Sequence, residues 1–417
     1  MNKIPILVKC NLKCNFRCKY CYQNSIRRTG YTNQKFKFRD IEKTIRELCK
    51  RNNRQEIVIH GGEPLTMRIR DLEKFFRLSY ELTGRSSLQT NGYLITGKHI
   101  ELFKRYKTSV GISIDGPYPC NELRGIGSEE DRKKQTNKII ENIKVLREEN
   151  IPVSVIIVAH KANAIGKRRA MLKNFILFLD SLKVSGRLNP CCSNDPSIQL
   201  TPSEAADFYS DMFWFMLKHG ITGWSPFRDI INSLKGSPNV VCVFSGCDPL
   251  CTQSAISILP DGSLGVCLRL YKDGIPYLRD RRPRSTRTDL LRETDCKGCE
   301  WFEYCHGGCS GMAINDDWRN KDRFCEAYKA MFRIGRNILR MAGVQLARKR
   351  RERYSSIEHV DGDIRHLDSS ILPRHTDNIC HLDGGLKHLD SNLIQEHADG
   401  IEHIDRGTRH LDSDVRW

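Results

Sequence analysis

Three cysteines fall within eight residues, Cys14, Cys18 and Cys21, directly after an apolar stretch at Pro5–Lys9. Thiolates this close in sequence can wrap one iron–sulfur cube, but three of them leave one iron of the four without a protein ligand. An iron left open in this way can chelate a small molecule through an amine and a carboxylate. The competing chemistry is zinc, which Cys-x2-Cys also suits. A second cysteine set runs as Cys251-x10-Gly262-x4-Cys267, then Cys296-x2-Cys299-x5-Cys305-x3-Cys309, then Cys325. In isolation it also fits two four-cysteine zinc sites that would fold a loop-rich segment. Eighteen cysteines in 417 residues without an export signal point to metal or redox chemistry rather than to disulfides.

Three short motifs follow the first loop in order. Gly61-Gly62-Glu63-Pro64 comes after the apolar run Glu56–His60, Gln89-Thr90-Asn91-Gly92 after the next, and Ser113-Ile114-Asp115-Gly116-Pro117 after the fourth, with Arg124 downstream. Each alone reads as a turn. Together with Tyr20 before the last cysteine of the loop, they resemble the radical S-adenosylmethionine (SAM) superfamily. The resemblance implies that Cys14, Cys18 and Cys21 hold a catalytic 4Fe–4S cluster that binds SAM. It makes Tyr20, Gly61, Gly62, Glu63, Asn91, Ser113, Asp115 and Arg124 cofactor-binding candidates. Of these, the glycines would expose backbone, Glu63 would receive the SAM ammonium, and Arg124 is the candidate for its carboxylate. His60 reads as a core histidine and Cys10 as a buried apolar residue.

The second cysteine set resembles the SPASM domain of radical SAM peptide-modifying enzymes. That resemblance implies two auxiliary 4Fe–4S clusters. Cys296, Cys299, Cys305 and Cys325 would hold one; Cys251, Cys267 and Cys309 would hold the other, with Cys247 as fourth ligand and Cys242 as its alternative. Cys49, Cys120, Cys191, Cys192 and Cys380 have no cluster spacing. The implied chemistry is cleavage of SAM to a 5′-deoxyadenosyl radical that takes a hydrogen atom from an unactivated C–H bond. The implied partners are a peptide or protein substrate and a low-potential electron donor such as ferredoxin or flavodoxin. In sulfatase-maturing relatives an Asp follows the cysteine equivalent to Cys267 and acts as a base, whereas this chain has Leu268. Formylglycine formation therefore stands as the alternative reaction.

These loops need a scaffold that presents them together. Residues 1–190 alternate short apolar runs with segments of helical period, the pattern of repeated βα units. Strands are expected at Pro5–Lys9, Glu56–His60, 87–90, 109–114, 152–158 and 186–188, and helical period is plain in 132–149. The fold class is α/β: six such units make a partial (β/α)6 TIM barrel, in which chemistry gathers at the C-terminal ends of the strands. All the motifs above fall there. The division expected is a barrel at 1–195, bridging helices at 196–240 opened by an N-cap pattern at Thr201, a Cys-rich module at 241–350 closed by a helix near 322–350, and a tail at 351–417.

No run in the sequence is long and apolar enough for a membrane span, and the first residues lack the h-region of a signal peptide. The expected location is cytoplasmic, with no membrane partner. Net charge is +18, distributed unevenly. Residues 355–417 hold six Lys/Arg against thirteen Asp/Glu, a charge of −7, which leaves +25 on the rest. Basic runs at 279–292 and 348–353 lack interleaved aromatics and read as solvated surface rather than as a nucleic-acid footprint.

The acidic tail repeats every 22 residues and keeps His-x-Asp throughout, from His359/Asp361 to His410/Asp412. Eight of the thirteen histidines lie in it. Three readings compete: a fused substrate or its mimic, an amphipathic segment for self-association with an eleven-residue period, and a metal-binding tract. Pro373 and Gly384-Gly385 count against one continuous helix.

Overall fold

The computed structural model describes residues 5–24, 37–51, 56–237, 240–247, 255–265, 267–270 and 286–347. Two compact units divide the chain at Arg351/Glu352. The tail with its His-x-Asp repeats, Cys251, Cys380, residues 279–285 of the first basic run and the whole of the second (348–353) lie outside the described residues.

Six parallel strands form the scaffold: β1 (Pro5–Lys9), β2 (Glu56–His60), β3 (Ser86–Thr90), β4 (Thr108–Ser113), β5 (Val153–Ala159) and β6 (Ser185–Pro190). Between them run α1 (Phe38–Arg51), α2 (Ile69–Thr83), α3 (Gly97–Arg105), α4 (Glu129–Glu148), α5 (Lys161–Ala164) and α6 (Gly166–Ser181). The alternation in the sequence has a direct physical outcome. Ile6, Val8, Ile57, Ile59, Val110, Ile112, Val155 and Ile157 are buried at every second position and join Phe75, Phe76, Phe103, Ile139 and Ile143 of the helices in one core. Lys9 and His60 lie on the opposite face, paired in register across β1 and β2.

Among the described residues the sheet has eight strands, not six. A short hairpin, β7 (Ile256–Ile258) and β8 (Leu264–Gly265), adds to the free edge of β1, with β7 parallel to it, so the order is β6-β5-β4-β3-β2-β1-β7-β8. Strands of three and two residues are too short to display a period, which is why the Cys-rich segment reads as irregular. Gly262, at φ +85°, makes the turn, and its carbonyl accepts from Thr44 Oγ1 of α1 at 2.7 Å. The Cys-rich module is thereby anchored to the first βα unit.

The bridging segment forms α7 (Pro202–Lys218) and α8 (Phe227–Leu234). Thr201 caps α7 as its sequence predicts: Thr201 Oγ1 accepts from the Glu204 amide at 3.2 Å, and Glu204 Oε2 accepts from the Thr201 amide at 2.7 Å. After α9 (Thr286–Glu293) and α10 (Phe302–Cys305), α11 (Cys325–Met341) packs on α7 and α8. It is shorter than the expected 322–350, and Gly343 beyond its end adopts the left-handed φ of +68°. No helix among the described residues is long and apolar enough to cross a membrane.

Candidate functional site

The loop carrying Cys14, Cys18 and Cys21 is held at both sides by backbone hydrogen bonds. On one side Gly62 N–H donates to the Asn11 carbonyl at 2.9 Å and Glu63 N–H to the Lys13 carbonyl at 2.8 Å. On the other, Arg17 N–H donates to Gly125 O and Lys19 N–H to Leu123 O, each at 2.9 Å. The loop thus joins the ends of β1, β2 and β4. Close approach explains the glycine pair: a Cβ on Gly61 would lie 2.6 Å from the Asn11 carbonyl oxygen, and one on Gly62 would run into the Lys13 carbonyl. None of the three cysteines is in a disulfide; Cys18 is buried, and its thiol is pushed up by burial, with Arg124 acting against the shift. Among the described residues no three His, Cys, Asp or Glu side chains converge in metal-ligating geometry.

Glu63 is fully buried and ties the second loop to the third. Its carboxylate accepts from Leu65 N–H at 3.0 Å, Thr90 Oγ1 at 2.6 Å and Asn91 N–H at 2.6 Å. Burial pushes its pKa up against these donors. The carboxylate expected to meet a ligand ammonium is therefore engaged by three protein donors. Asn91 reaches the cysteine loop through Asn15 Oδ1 at 2.8 Å, and Ser113 accepts from Gln89 Nε2 at 2.9 Å.

The ends of β4 and β5 converge on Tyr20. Its hydroxyl donates in a short hydrogen bond to Asp115 Oδ2 and accepts from Arg124 Nη1 at 2.8 Å. Asp115 also accepts from the Val158 amide at 2.9 Å and faces His160 Nε2 at 3.3 Å. Burial alone would raise the Asp115 pKa; Arg124, His160 and Tyr20 hold it below the usual carboxylate range. Three of the expected residues, Tyr20, Asp115 and Arg124, are brought together here. His160 is one that sequence reasoning missed, and its only local signal is its position directly after a strand.

Lys9 was missed as well. Its Nζ is fully buried at the end of β1, 3.2 Å from both Tyr22 Oη and His60 Nδ1, and desolvation pushes its pKa down to about 7. Cys21, Cys10 and Cys267 lie within its electrostatic reach and act against that shift. His60 is pushed down to about 3 by burial and by Lys9.

In the Cys-rich module, Cys296, Cys299, Cys305 and Cys325 share one neighbourhood, each thiol of Cys296, Cys305 and Cys325 raised first by burial and then by others of the set. Cys309 lies near both Cys247, which is buried, and Cys242, which is exposed; Cys267 lies near Cys242. Both candidates for the fourth position are thus beside Cys309. The peptide around Cys309 is braced from within: fully buried Arg287 donates to the carbonyls of Gly307, Gly308, Trp318 and Asn320 at 2.6–3.1 Å. Asp322 Oδ2 accepts from the Cys309 amide at 2.9 Å. Burial opposes the charge of Arg269, but Cys309, Cys267, Cys192 and Cys242 around it hold the guanidinium protonated. The Cys192 thiol donates to the Gly311 carbonyl at 3.4 Å, so β6 also reaches this module.

The chemistry of the first loop fits the group that the motifs imply: it offers three thiols outside any disulfide near a guanidinium, and Arg124 Nε is buried without a hydrogen-bond partner.

The family model described as the Radical SAM superfamily matches residues 8–174. The cysteine-type anaerobic sulfatase-maturating enzyme of Clostridium novyi (strain NT) is 26% identical over 300 residues, 65% of this chain and 78% of that protein. The radical SAM cyclopropyl synthase TigE of Paramaledivibacter caminithermalis is 26% identical over 360 residues, 78% of this chain and 71% of its own length. Among solved structures, native anSMEcpe with bound AdoMet and Cp18Cys peptide superposes with a TM-score of 0.66 at 19% identity, covering 82% of this chain and 99% of that one. Streptococcus suis SuiB bound to precursor peptide SuiA gives 0.52 at 14% identity, covering 78% and 76%. At those identities the structural likeness concerns the fold.

Proposed function

We propose that this chain, which belongs to the radical SAM superfamily, is a maturase that oxidatively modifies a side chain of a peptide or protein. When bound, SAM and its 4Fe–4S cluster supply a radical able to take hydrogen from an unactivated C–H bond. The observation that carries the reading is the cysteine loop locked between the Gly61-Gly62-Glu63 turn and residues 123–125. Cys14, Cys18 and Cys21 hold the metal there and leave one position open. Arg124, whose Nε lacks a partner, receives the SAM carboxylate. Asn91 and Ser113 complete the site from the ends of β3 and β4.

The Cys-rich module is read as a SPASM domain with two auxiliary clusters. Cys296, Cys299, Cys305 and Cys325 would hold one, and Cys251, Cys267, Cys309 and Cys247 or Cys242 the other; they would accept an electron from the product radical, and the contacts of this module with the barrel at β7 and Cys192 support that reading. Relatives whose names or bound ligands are peptide-related support a polypeptide substrate. The electron donor is of the ferredoxin or flavodoxin type, and the reducing cytoplasm is the compartment such clusters require.

The reaction that best fits this chain is cross-linking of its own His-x-Asp units or of a separate peptide that they mimic. The test is anaerobic turnover with SAM and a reductant, followed by tandem mass spectrometry of the chain. Losses of two hydrogens localised to His-x-Asp units are expected, and an unmodified tail would sink the tail assignment. Formylglycine formation is the second reading, favoured by the similarity to sulfatase-maturating enzymes. Conversion of a cysteine in a sulfatase-type peptide would establish it.

A further inference from the structure

The buried network around Tyr20 contains a residue that none of the motifs includes. His160 is fully buried directly after β5, with its ring 5.4 Å from that of Tyr20 and its Nε2 3.3 Å from Asp115 Oδ2. Facing a carboxylate, Nε2 is the donor in that contact. The His160 Nδ1 is buried with no hydrogen-bond partner, as is Arg124 Nε. Buried polar atoms are nearly always satisfied, and each unmet one costs about 1–3 kcal/mol. Two such atoms on one network mark it as incomplete without a ligand.

The rest of the network is over-determined. Val158 N–H donates to Asp115 Oδ1, Asn163 Nδ2 donates to the Asp115 carbonyl at 3.0 Å, and Asn121 Oδ1 accepts from the Asp115 amide at 2.9 Å. His160 is itself fixed, because its amide donates to Asn163 Oδ1 at 2.9 Å. Asp115 Oδ2 is shared between two donors, Tyr20 and His160. With both in place, the Tyr20 oxygen stands between the carboxylate and Arg124, so the guanidinium is held beside Asp115 rather than paired with it. Without His160, one lone pair of a buried carboxylate is left open next to a buried cation. Direct pairing with Arg124 is then the cheapest way to satisfy it.

We infer that His160 is a positioning residue of the SAM site, which keeps Asp115 and Tyr20 in the arrangement that leaves Arg124 available to the cofactor. The inference rests on the functional reading above. His160 acts on the cysteine loop through Tyr20, from the position directly after β5.

The test uses the full chain with its clusters reconstituted, without reductant, and measures the SAM dissociation constant by equilibrium dialysis of labelled SAM. H160F keeps the ring volume and removes both nitrogens; H160Q places an amide donor where Nε2 stood and so restores a donor to Asp115. The expected result is a constant at least tenfold weaker for H160F, recovered to within about threefold of wild type by H160Q, with equal iron content in all three proteins. A wild-type constant for H160F overturns the inference, and so does an H160Q that binds as weakly as H160F. Should H160F fail to accumulate, H160A replaces it against the same H160Q comparison. Wild-type protein that binds no SAM refutes the functional reading itself, which separates the two failures.

Discussion

Replacing Gly62 by alanine should dislodge the metal-binding loop while leaving the rest of the barrel intact. The new Cβ would press on the Lys13 carbonyl oxygen and would lie 2.5 Å from the Leu12 carbonyl oxygen and 2.6 Å from the Lys13 carbonyl carbon. Ordinary carbon–oxygen contacts begin near 3.3 Å, so residues 12–13 must retreat by about 1 Å, and backbone cannot swing aside as a side chain can. That retreat breaks or stretches two hydrogen bonds, Gly62 N–H to Asn11 O and Glu63 N–H to Lys13 O. At about 0.5–1.5 kcal/mol each, with a further 1–3 for overpacking, the cost is roughly 2–6 kcal/mol. It falls on the segment between Leu12 and Cys14, so it appears as lost metal before it appears as lost fold. The assay is anaerobic reconstitution of G62A and wild type, with iron and sulfide counted and the reduced cluster examined by electron paramagnetic resonance with and without SAM. G97A, whose added Cβ meets nothing within 4 Å, is the control and should match wild type. A G62A protein with wild-type iron and an unchanged SAM-dependent spectrum would refute the reasoning.

Other perturbations follow from the same geometry. With its pKa pushed down from 10.5 to about 7, Lys9 binds its proton more weakly in the folded chain than in the unfolded one. The cost of burying it is therefore complete below about pH 7 and gone above pH 10.5, with an upper bound of about 5 kcal/mol. Urea unfolding of metal-free K9M and wild type should show K9M favoured at pH 6.5 and the advantage fading by pH 10; an equal offset at both would contradict it. R287K keeps a charge but cannot reach four carbonyls, so the loop of Cys309 should loosen and bound iron should fall from about twelve per chain toward eight or fewer. Unchanged iron would mean that Arg287 does not brace the cluster site. Y20F removes the hydroxyl between Arg124 and Asp115 and should weaken SAM binding by roughly 5- to 30-fold, the worth of about 1–2 kcal/mol, with iron unaffected.

What could be read from the chain and what could not divide along the line between local and non-local physics. Cys14, Cys18 and Cys21 need only spacing, and strands β1 and β2 appear with the expected ends because alternation is a local signal. The N-cap at Thr201 is local too. The pairing of β1 with β7 joins Ile6 to Ile256, some 250 residues apart, and no window of sequence contains it. Pro260-Asp261-Gly262 was the available cue for that hairpin. His160, Lys9, Arg269 and Arg287 owe their interest to burial and to what surrounds them, which tertiary packing alone decides. Glu63 shows the reverse case: its motif was plain, yet its three protein donors emerge only when β2 and β3 lie side by side.

The most direct measurement is anaerobic incubation of the reconstituted full chain with SAM and a strong reductant, scored by liquid chromatography–mass spectrometry for 5′-deoxyadenosine and for mass change in the chain. The account predicts 5′-deoxyadenosine from wild type, none when Cys14, Cys18 and Cys21 are replaced by alanine, and a product lighter by two hydrogens per modified unit when a polypeptide substrate is present. A colourless zinc-bound protein that forms no 5′-deoxyadenosine would contradict it.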